Sequence, residues 1–170
     1  MHELLEIYPG AQRALFRKYH IGGCASCGFR PEETLAQVCE RNEQLPVDEV
    51  IRHLDVSRDE DSKMQIAPAE LAEHLRSGDG LKLVDVRTHE EFDAAHIDGS
   101  TLFSQELMQE MLMKWDRDQP VVFVCHHGIR SMDAAAYFAG HGFTNVKSLT
   151  GGVDAWSTEV DPNVPRYHLE

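Results

Sequence analysis

The segment PVVFVC at residues 120–125 is the feature that most constrains how this chain can fold. The four residues between the proline and the cysteine are all apolar, so neither side of a strand here is suited to water. A strand that is apolar on both faces is typical of a parallel sheet covered by helices. We therefore expect an α/β domain in which a central strand ends at Cys125.

Strand and helix signals alternate through residues 64–158, as a sheet of this kind requires. The strands are predicted at 81–86, 100–104, 120–125 and 144–149. The helices are predicted at 68–76, 88–96, 105–115 and 131–141, with a short final helix that begins within GGVDAW. The predicted fold class is a parallel sheet flanked by helices, preceded by a small all-α helical domain.

The N-terminal part carries only helical signals, such as the recurrence of Ala11, Ala14, Leu15 and Tyr19 on one helical face. The charged segment DVSRDEDSK follows it and contains one apolar residue, Val56. Charged segments without large apolar residues are typical of connections between domains. The predicted organisation is therefore a helical domain at 1–55, a linker at 56–63, the α/β domain at 64–158 and a C-terminal tail at 159–170.

The charge composition of the chain argues against some classes of binding partner. The net charge is -13 and the isoelectric point is about 5.1, which argues against nucleic acid and against an anionic membrane as partners. No apolar run approaches the roughly 20 residues of a membrane span, and no signal peptide is visible. The sequence predicts a cytoplasmic protein, where its four cysteines are better explained by chemistry than by disulfide staples.

The residues that follow Cys125 are those that a reactive thiolate needs. Ligands of open parallel sheets bind beyond the carboxyl ends of the strands. Gly128 allows a tight loop whose N–H groups and following helix N-terminus would stabilise a thiolate or hold an anion. Arg130 is expected to add a fixed positive charge. The predicted anion-cradling loop consists of His126, His127, Gly128, Ile129, Arg130 and Ser131.

Each of these assignments has a simpler structural alternative. Cys125 could be an unreactive core thiol, since free cysteines are often buried. His126 and His127 could add positive charge or could be merely polar loop residues. Arg130 could pair with a surface carboxylate. At the end of the neighbouring strand, Asp85 and Arg87 are expected to support the site structurally, with Arg87 pairing with Glu90 or Glu91 and Asp85 holding loop backbone.

Residues 64–158 resemble a single rhodanese domain. The resemblance is carried by LVDVRTHEEFDAAHIDGS at 83–100 and by VVFVCHHGIRSMDAAAYFAGHGFTNVKSLTGGVDAW at 121–156. It implies a sulfurtransferase in which Cys125 takes sulfane sulfur from a donor such as thiosulfate or polysulfide, forms a persulfide, and passes the sulfur to a thiol, a cyanide-like acceptor or an acceptor protein. No metal or other cofactor is expected.

The length of the loop separates two classes of anion. Only four residues lie between Cys125 and Arg130, whereas the cell-cycle phosphatases that share this fold carry five. The smaller loop suits a sulfur atom better than a phosphoryl group. A phosphatase or arsenate reductase on the same scaffold remains an alternative, as does a persulfide or redox sensor without catalytic turnover.

Cys24 and Cys27 form a Cys-x-x-Cys pair in the helical domain. Such a pair supports redox or sulfur-acceptor chemistry, because each thiol helps to stabilise the thiolate of the other. A metal site would need further ligands, for which Cys39, His20 and His53 are the nearby candidates. An inert turn is the third interpretation, and the sequence leaves all three open.

The helical domain also resembles a known module, the small domain called DUF1858, which is described as disulfide-reductase-like. The resemblance is carried by LLEIYPGAQRALFRKYHIGGCASCGFRPEETLAQVC and by the later LPVDEVIRHL. It adds little beyond the cysteine pair itself. If the pair is redox-active, Cys24 or Cys27 could attack a persulfide on Cys125, and the second cysteine could then form a disulfide with the first and release sulfide.

Overall fold

The computed structural model describes residues 1–23 and 28–167. The chain divides into two compact units, Met1–Lys63 and Met64–Glu170, which are described separately. Cys24 and Cys27, the predicted redox pair, lie outside the described residues. Within the described residues, none of the helices is both long and apolar enough to cross a membrane.

The first unit is helical, as predicted. Its helices are α1 (His2–Ile7), α2 (Ala11–Tyr19), α3 (Leu35–Arg41) and α4 (Val47–Lys63). Thr34 begins α3 with a reciprocal capping box, in which its hydroxyl accepts from the Gln37 N–H and the Gln37 side chain accepts from the Thr34 N–H. The core is formed by the apolar faces of α2, α3 and α4, with Leu15, Val38 and Val50 fully buried.

The predicted linker at 56–63 is wrong, because these residues continue helix α4 to Lys63. The low apolar content of the segment suggested a solvated connection. A polar contact anchors it instead, since the Tyr8 hydroxyl donates to Asp61 over 2.7 Å and Arg13 forms an ion pair with the same carboxylate. Burial and the neighbouring Asp61 raise the pKa of Tyr8. A paired carboxylate can be buried where an unpaired one cannot.

The second unit is built on a five-stranded parallel sheet in the order β1-β5-β4-β2-β3. The strands are β1 (Gln65–Ile66), β2 (Lys82–Asp85), β3 (Thr101–Leu102), β4 (Val121–Val124) and β5 (Val146–Leu149). The helices are α5 (Pro68–Ser77), α6 (His89–Ala94), α7 (Gln105–Lys114), α8 (Ile129–Gly140) and α9 (Gly152–Glu159). The predicted fold class is confirmed.

Strand β4 lies at the centre of the sheet and is buried at every position. Val122 and Val124 belong to one core, which also contains Trp156 of α9. Val121 and Phe123 belong to the core on the opposite face, together with helices α7 and α8. The two-residue period of the strand therefore supplies both cores, and the chain leaves the sheet at the edge where Cys125 begins the next loop.

Three elements differ from the sequence-based prediction. Strand β1 was not predicted, because two residues are too short to produce a periodic signal. Helix α8 begins at Ile129 rather than near Ser131, so the loop after Cys125 is shorter than expected. The residues after Pro162, predicted as a loose tail, are held by a bond from the Ser157 hydroxyl to the Val164 carbonyl and by the pair of Arg166 with Asp154.

Candidate active site

Cys125 lies at the carboxyl edge of the sheet, immediately after β4, and its side chain is held at the start of helix α8. The residue is 1% exposed, although the loop residues directly after it reach the surface. Its Sγ accepts the backbone N–H of Gly128 at 3.1 Å and lies 3.3 Å from the Ser131 hydroxyl. The Ser131 hydroxyl is 2.8 Å from that of Ser148 on β5. An N–H at a helix N-terminus favours negative charge on the sulfur.

Gly128 is required by the shape of this loop. It caps α8 with a φ of 93°, a conformation that L side chains rarely adopt. A Cβ at this position would also lie 3.0 Å from the Leu149 carbonyl oxygen and 3.1 Å from the Gly151 nitrogen. The glycine predicted to shape the loop therefore brings its own N–H to the sulfur and lets the loop pack closely on the chain after β5.

The N-terminus of helix α9 holds the loop from the other side. The Val153 N–H donates to the Cys125 carbonyl over 2.9 Å, and the Asp154 N–H donates to the His126 carbonyl over 3.1 Å. A Cβ on Gly152 would lie 2.2 Å from the Cys125 oxygen. Gly152 lies within the stretch that resembles a rhodanese domain, but no local pattern in the sequence indicates its contact with the loop.

Arg130 forms an ion pair with Glu91 rather than presenting a free positive charge to the sulfur. Its two terminal nitrogens donate to the two carboxylate oxygens over 2.7 and 2.8 Å. This pairing lowers the pKa of Glu91 to about 2. Glu91 also accepts the Thr88 N–H and so begins helix α6. Arg130 was expected to add a fixed positive charge, with a pair to a surface carboxylate as the alternative. The structure shows a pair, but its carboxylate is the almost completely buried Glu91.

Asp85 and Arg87 form a buried ion pair beneath the site. The Arg87 guanidinium donates to the Asp85 carboxylate, with a closest distance of 2.6 Å, and also to the Ala95 carbonyl over 2.6 Å. Asp85 accepts the backbone N–H of Arg87 as well. The predicted pairing of Arg87 with Glu90 or Glu91 is wrong, because the carboxylate two positions earlier is already aligned with the guanidinium.

The two loop histidines form a stack. The rings of His126 and His127 are 3.9 Å apart, and the ring of Tyr167 lies 4.3 Å from His126 on a nearly parallel plane. Burial lowers the pKa of His126 and so favours its neutral form. Of the two interpretations that the sequence left open for this histidine, the burial favours a polar loop residue over a source of positive charge. Ile129, the remaining loop residue, is exposed.

Tyr167 is the residue at this site that sequence reasoning missed. Its hydroxyl lies 2.6 Å from Arg87 Nη1 and 3.1 Å from Glu91 Oε1. The residue lies beyond the last helix, within the segment predicted as a loose tail, and neither periodicity nor a motif marks it. A polar contact between residues 76 positions apart leaves no local signal in the sequence.

The remaining cysteine candidate does not lie at this site. Cys39 is packed in the core of the first unit, where burial raises the pKa of its thiol. The Nε2 atom of His53, a residue considered above as a metal ligand, lies 3.0 Å from the Ala14 carbonyl oxygen. Among residues 1–23 and 28–167, no group of three or more histidine, cysteine, aspartate or glutamate side chains is arranged to hold a metal ion.

Comparison with known proteins finds a family match for the second unit. A family model described as the Rhodanese-like domain matches residues 67–159. The probable adenylyltransferase/sulfurtransferase MoeZ of Mycobacterium tuberculosis is 38% identical over 104 residues, which are 60% of this chain and 26% of that protein. The thiosulfate sulfurtransferase GlpE of Pseudomonas syringae is 41% identical over 91 residues, which are 54% of this chain and 85% of that protein.

A solved structure supports the same fold. The human single domain sulfurtransferase TSTD1 superposes with a TM-score of 0.51 and 24% identity, covering 56% of this chain and 96% of that one. At this level of identity the likeness concerns the fold alone. The stretch shared with MoeZ spans about a quarter of that protein, so most of MoeZ has no counterpart in the match.

Proposed function

Because its residues 67–159 make this chain a member of the rhodanese-like domain family, we propose that it is a sulfurtransferase in which Cys125 carries sulfane sulfur as a persulfide. The observation that carries the proposal is the contact of Cys125 Sγ with the Gly128 N–H at the N-terminus of α8. The names of the relatives MoeZ and GlpE support the same reaction class.

The first half-reaction loads the cysteine. The Cys125 thiolate attacks the outer sulfur of thiosulfate and forms a new S–S bond, while the original S–S bond breaks and sulfite leaves with its electron pair. The Gly128 N–H and the Ser131 hydroxyl, both within hydrogen-bond distance of Sγ, would stabilise the thiolate before the attack. No external oxidant or reductant is needed, because the sulfur is transferred at the sulfane oxidation level.

The second half-reaction removes the sulfur from Cys125. A thiolate or cyanide attacks the outer sulfur of the persulfide, and the electron pair of the broken S–S bond returns to Cys125 as a thiolate. The products are a new persulfide or thiocyanate, respectively. An acceptor protein with an exposed cysteine would react in the same way. A cytoplasmic location belongs to the proposal, since the cycle needs a reduced cysteine.

The burial of the sulfur favours small donors and acceptors. Cys125 is almost completely buried beneath its loop, and four residues separate it from Arg130. A single added sulfur atom requires less room than a phosphoryl group on a large leaving group. These two observations favour sulfur transfer over the phosphatase and arsenate reductase alternatives.

The N-terminal helical unit enters the proposal only through its cysteine pair. The resemblance of residues 1–55 to DUF1858 suggests that Cys24 and Cys27 act in redox chemistry or accept sulfur. Among the cysteines that the structure describes, Cys39 is a core residue and Cys125 is the nucleophile of the proposal. The acceptor role of Cys24 and Cys27 is therefore tested by substitution of those two residues.

The test is intact and peptide-level mass spectrometry after exposure of the reduced protein to thiosulfate or to polysulfide. We expect Cys125 to gain one sulfur atom, which cyanide removes as thiocyanate. A Cys24→Ser/Cys27→Ser variant is the matched control, because it removes two other thiols and retains Cys125. Catalytic turnover of thiosulfate and cyanide then separates a sulfurtransferase from a sensor that forms the persulfide without turnover.

One result would overturn the proposal. If Cys125 gained no sulfur from either donor, and the protein hydrolysed a phosphoester or reduced arsenate in a manner that required Cys125, the scaffold would serve one of the alternative reactions.

A further inference from the structure

The hydroxyl of Tyr167 joins the two ion pairs of the site. Arg87 Nη1 donates to it over 2.6 Å, and it donates to Glu91 Oε1 over 3.1 Å. A phenol can accept one bond and donate another at the same time. Burial raises the pKa of Tyr167, so the hydroxyl keeps the proton that it donates. The buried Asp85–Arg87 pair and the Glu91–Arg130 pair thus become one continuous network.

The ring of Tyr167 makes a second contact, with the residue directly after the nucleophile. Its plane lies within 15° of that of His126, at a centroid distance of 4.3 Å. His126 in turn stacks on His127. The chain segment that carries Tyr167 is held in place by Arg166, which forms an ion pair with Asp154 on helix α9.

These two contacts reach the start of the loop after Cys125 and the first turn of helix α8 that follows the loop. The ring stacks on His126 at the beginning of the loop, and the hydroxyl contacts Arg130 in α8 through Glu91. Gly128, whose N–H donates to Sγ, lies midway between them. One side chain from the C-terminal segment therefore contacts the chain on both sides of Gly128, directly at His126 and through Glu91 at Arg130.

We propose that Tyr167 is a positioning residue of the sulfur-carrying loop, acting on His126 through its ring and on Arg130 through Glu91. The expected effect of Tyr167 on catalysis rests on the proposed sulfurtransferase function. The positioning role itself, in which Tyr167 holds the Gly128 N–H against the sulfur, is independent of which reaction Cys125 performs.

The experiment compares three substitutions in the full chain. Tyr167→Phe removes the hydroxyl and keeps the ring, whereas Tyr167→Leu removes both contacts. The matched control is Tyr137→Phe, which makes the same chemical change on helix α8, where the side chain is 45% exposed and outside the network. Thermal unfolding and amide hydrogen exchange in strand β4 establish that each variant keeps its core.

Two readouts do not depend on sulfur transfer. The first is hydrogen exchange of the Gly128 amide, which we expect to accelerate by about tenfold in Tyr167→Leu and less in Tyr167→Phe, because local restraint sets local opening. The second is the NMR titration of His126, which faces His127, Asp154, Glu91 and Arg87. Its pKa is expected to rise in Tyr167→Leu, where water reaches the ring, and to change little in Tyr167→Phe.

The third readout is steady-state sulfur transfer. Mispositioning of the loop is expected to lower kcat by about tenfold in Tyr167→Leu with little change in KM, since the lost contacts orient the nucleophile rather than bind the donor. Tyr137→Phe is expected to match the wild type in all three measurements.

The inference is overturned if Tyr167→Leu has the same Gly128 exchange and the same His126 titration as Tyr137→Phe. That result stands whether or not Cys125 accepts sulfur. Conversely, faster Gly128 exchange in a protein that never forms a Cys125 persulfide would support the positioning role and reject the proposed reaction.

Discussion

Arg130 and Glu91, which are 39 positions apart in the chain, form a bidentate ion pair that joins the first turn of helix α8 to the first turn of helix α6. The Glu91 side chain is almost completely buried, whereas that of Arg130 is 47% exposed. The arginine therefore neutralises a buried carboxylate and restrains the first turn of α8, directly after the loop. Its charge is already compensated before any donor arrives.

This pairing predicts how Arg130→Ala behaves toward different donors. A lost anion-binding charge would impair thiosulfate more than a neutral organic polysulfide, but a lost loop restraint should impair both alike. We expect kcat to fall by a similar factor, about tenfold, with the two donors. Steady-state kinetics with both donors is the measurement. A selective loss with thiosulfate would contradict the structural role and restore the role of an anion-binding charge.

Substitution of Glu91 should cause the same defect as substitution of Arg130. Glu91→Gln removes the charge that Arg130 binds. The double variant with Arg130→Ala should therefore lose no more stability than the less stable of the two single variants. We expect each single change to lower the free energy of unfolding by about 1–2 kcal/mol, less than for a fully buried pair because Arg130 is half exposed. Denaturant unfolding of the four proteins measures the coupling.

The depressed pKa of Glu91 makes part of this stability dependent on pH. Glu91 has a pKa of about 2 in the folded protein and about 4.3 in an unfolded chain. Its contribution is therefore complete above about pH 4.3 and is lost as the pH falls from there toward 2. The difference in free energy of unfolding between wild type and Glu91→Gln should therefore become smaller as the pH falls through this range.

The measurement is denaturant unfolding of both proteins between pH 7 and pH 3. Glu90→Gln is the matched control, since Glu90 is the exposed neighbour on the same helical turn. A gap between wild type and Glu91→Gln that stayed constant down to pH 3 would show that the ion pair does not stabilise the fold.

The nucleophile itself is tested by Cys125→Ser. Because the oxygen of serine cannot accept and release sulfane sulfur in this way, we expect sulfur transfer to fall to background while the unfolding transition remains cooperative. A Cys24→Ser variant controls for the loss of a thiol elsewhere in the chain. Near wild-type transfer by Cys125→Ser would place the nucleophile at another residue.

Gly152→Ala tests the close approach of helix α9 to the loop. The new Cβ would lie 2.2 Å from the Cys125 carbonyl oxygen, and the residue has a φ of 62°. We expect a loss of about 2–4 kcal/mol of stability and a strong loss of sulfur transfer, because the loop must move away from α9. Gly140→Ala is the control, since a Cβ there meets nothing within 4 Å. Equal effects of the two changes would exclude a special constraint at Gly152.

A single-turnover experiment tests whether the N-terminal cysteine pair receives the sulfur. Cys125 is loaded with sulfur, all external thiols are removed, and sulfide and the Cys24–Cys27 disulfide are followed by mass spectrometry. If the pair acts as a reductant, sulfide appears together with one disulfide per persulfide, and the Cys24→Ser/Cys27→Ser variant retains its persulfide. A persulfide equally stable in both proteins would reject this role without affecting the assignment of Cys125.

Sequence alone determined the features that depend on near neighbours and on periodicity. The apolar run before Cys125 predicted a buried central strand, since a parallel strand needs apolar residues on both faces. The glycine three positions after the cysteine predicted a tight loop at a helix N-terminus, and the structure has Gly128 in that role. The helix predicted from residue 88 is also present, with Thr88 as the cap of α6.

Only the tertiary structure decided which distant groups meet. Val56 and its charged neighbours suggested a linker, but the Tyr8–Asp61 contact anchors this segment as the end of α4. The charge of Arg130 was evident from sequence, whereas its neutralisation by Glu91 was not. Tyr167 carried no signal of its own. Hydrogen bonds and ion pairs depend on distances of a few ångströms between residues far apart in the chain, and no local pattern encodes those distances until the fold brings the residues together.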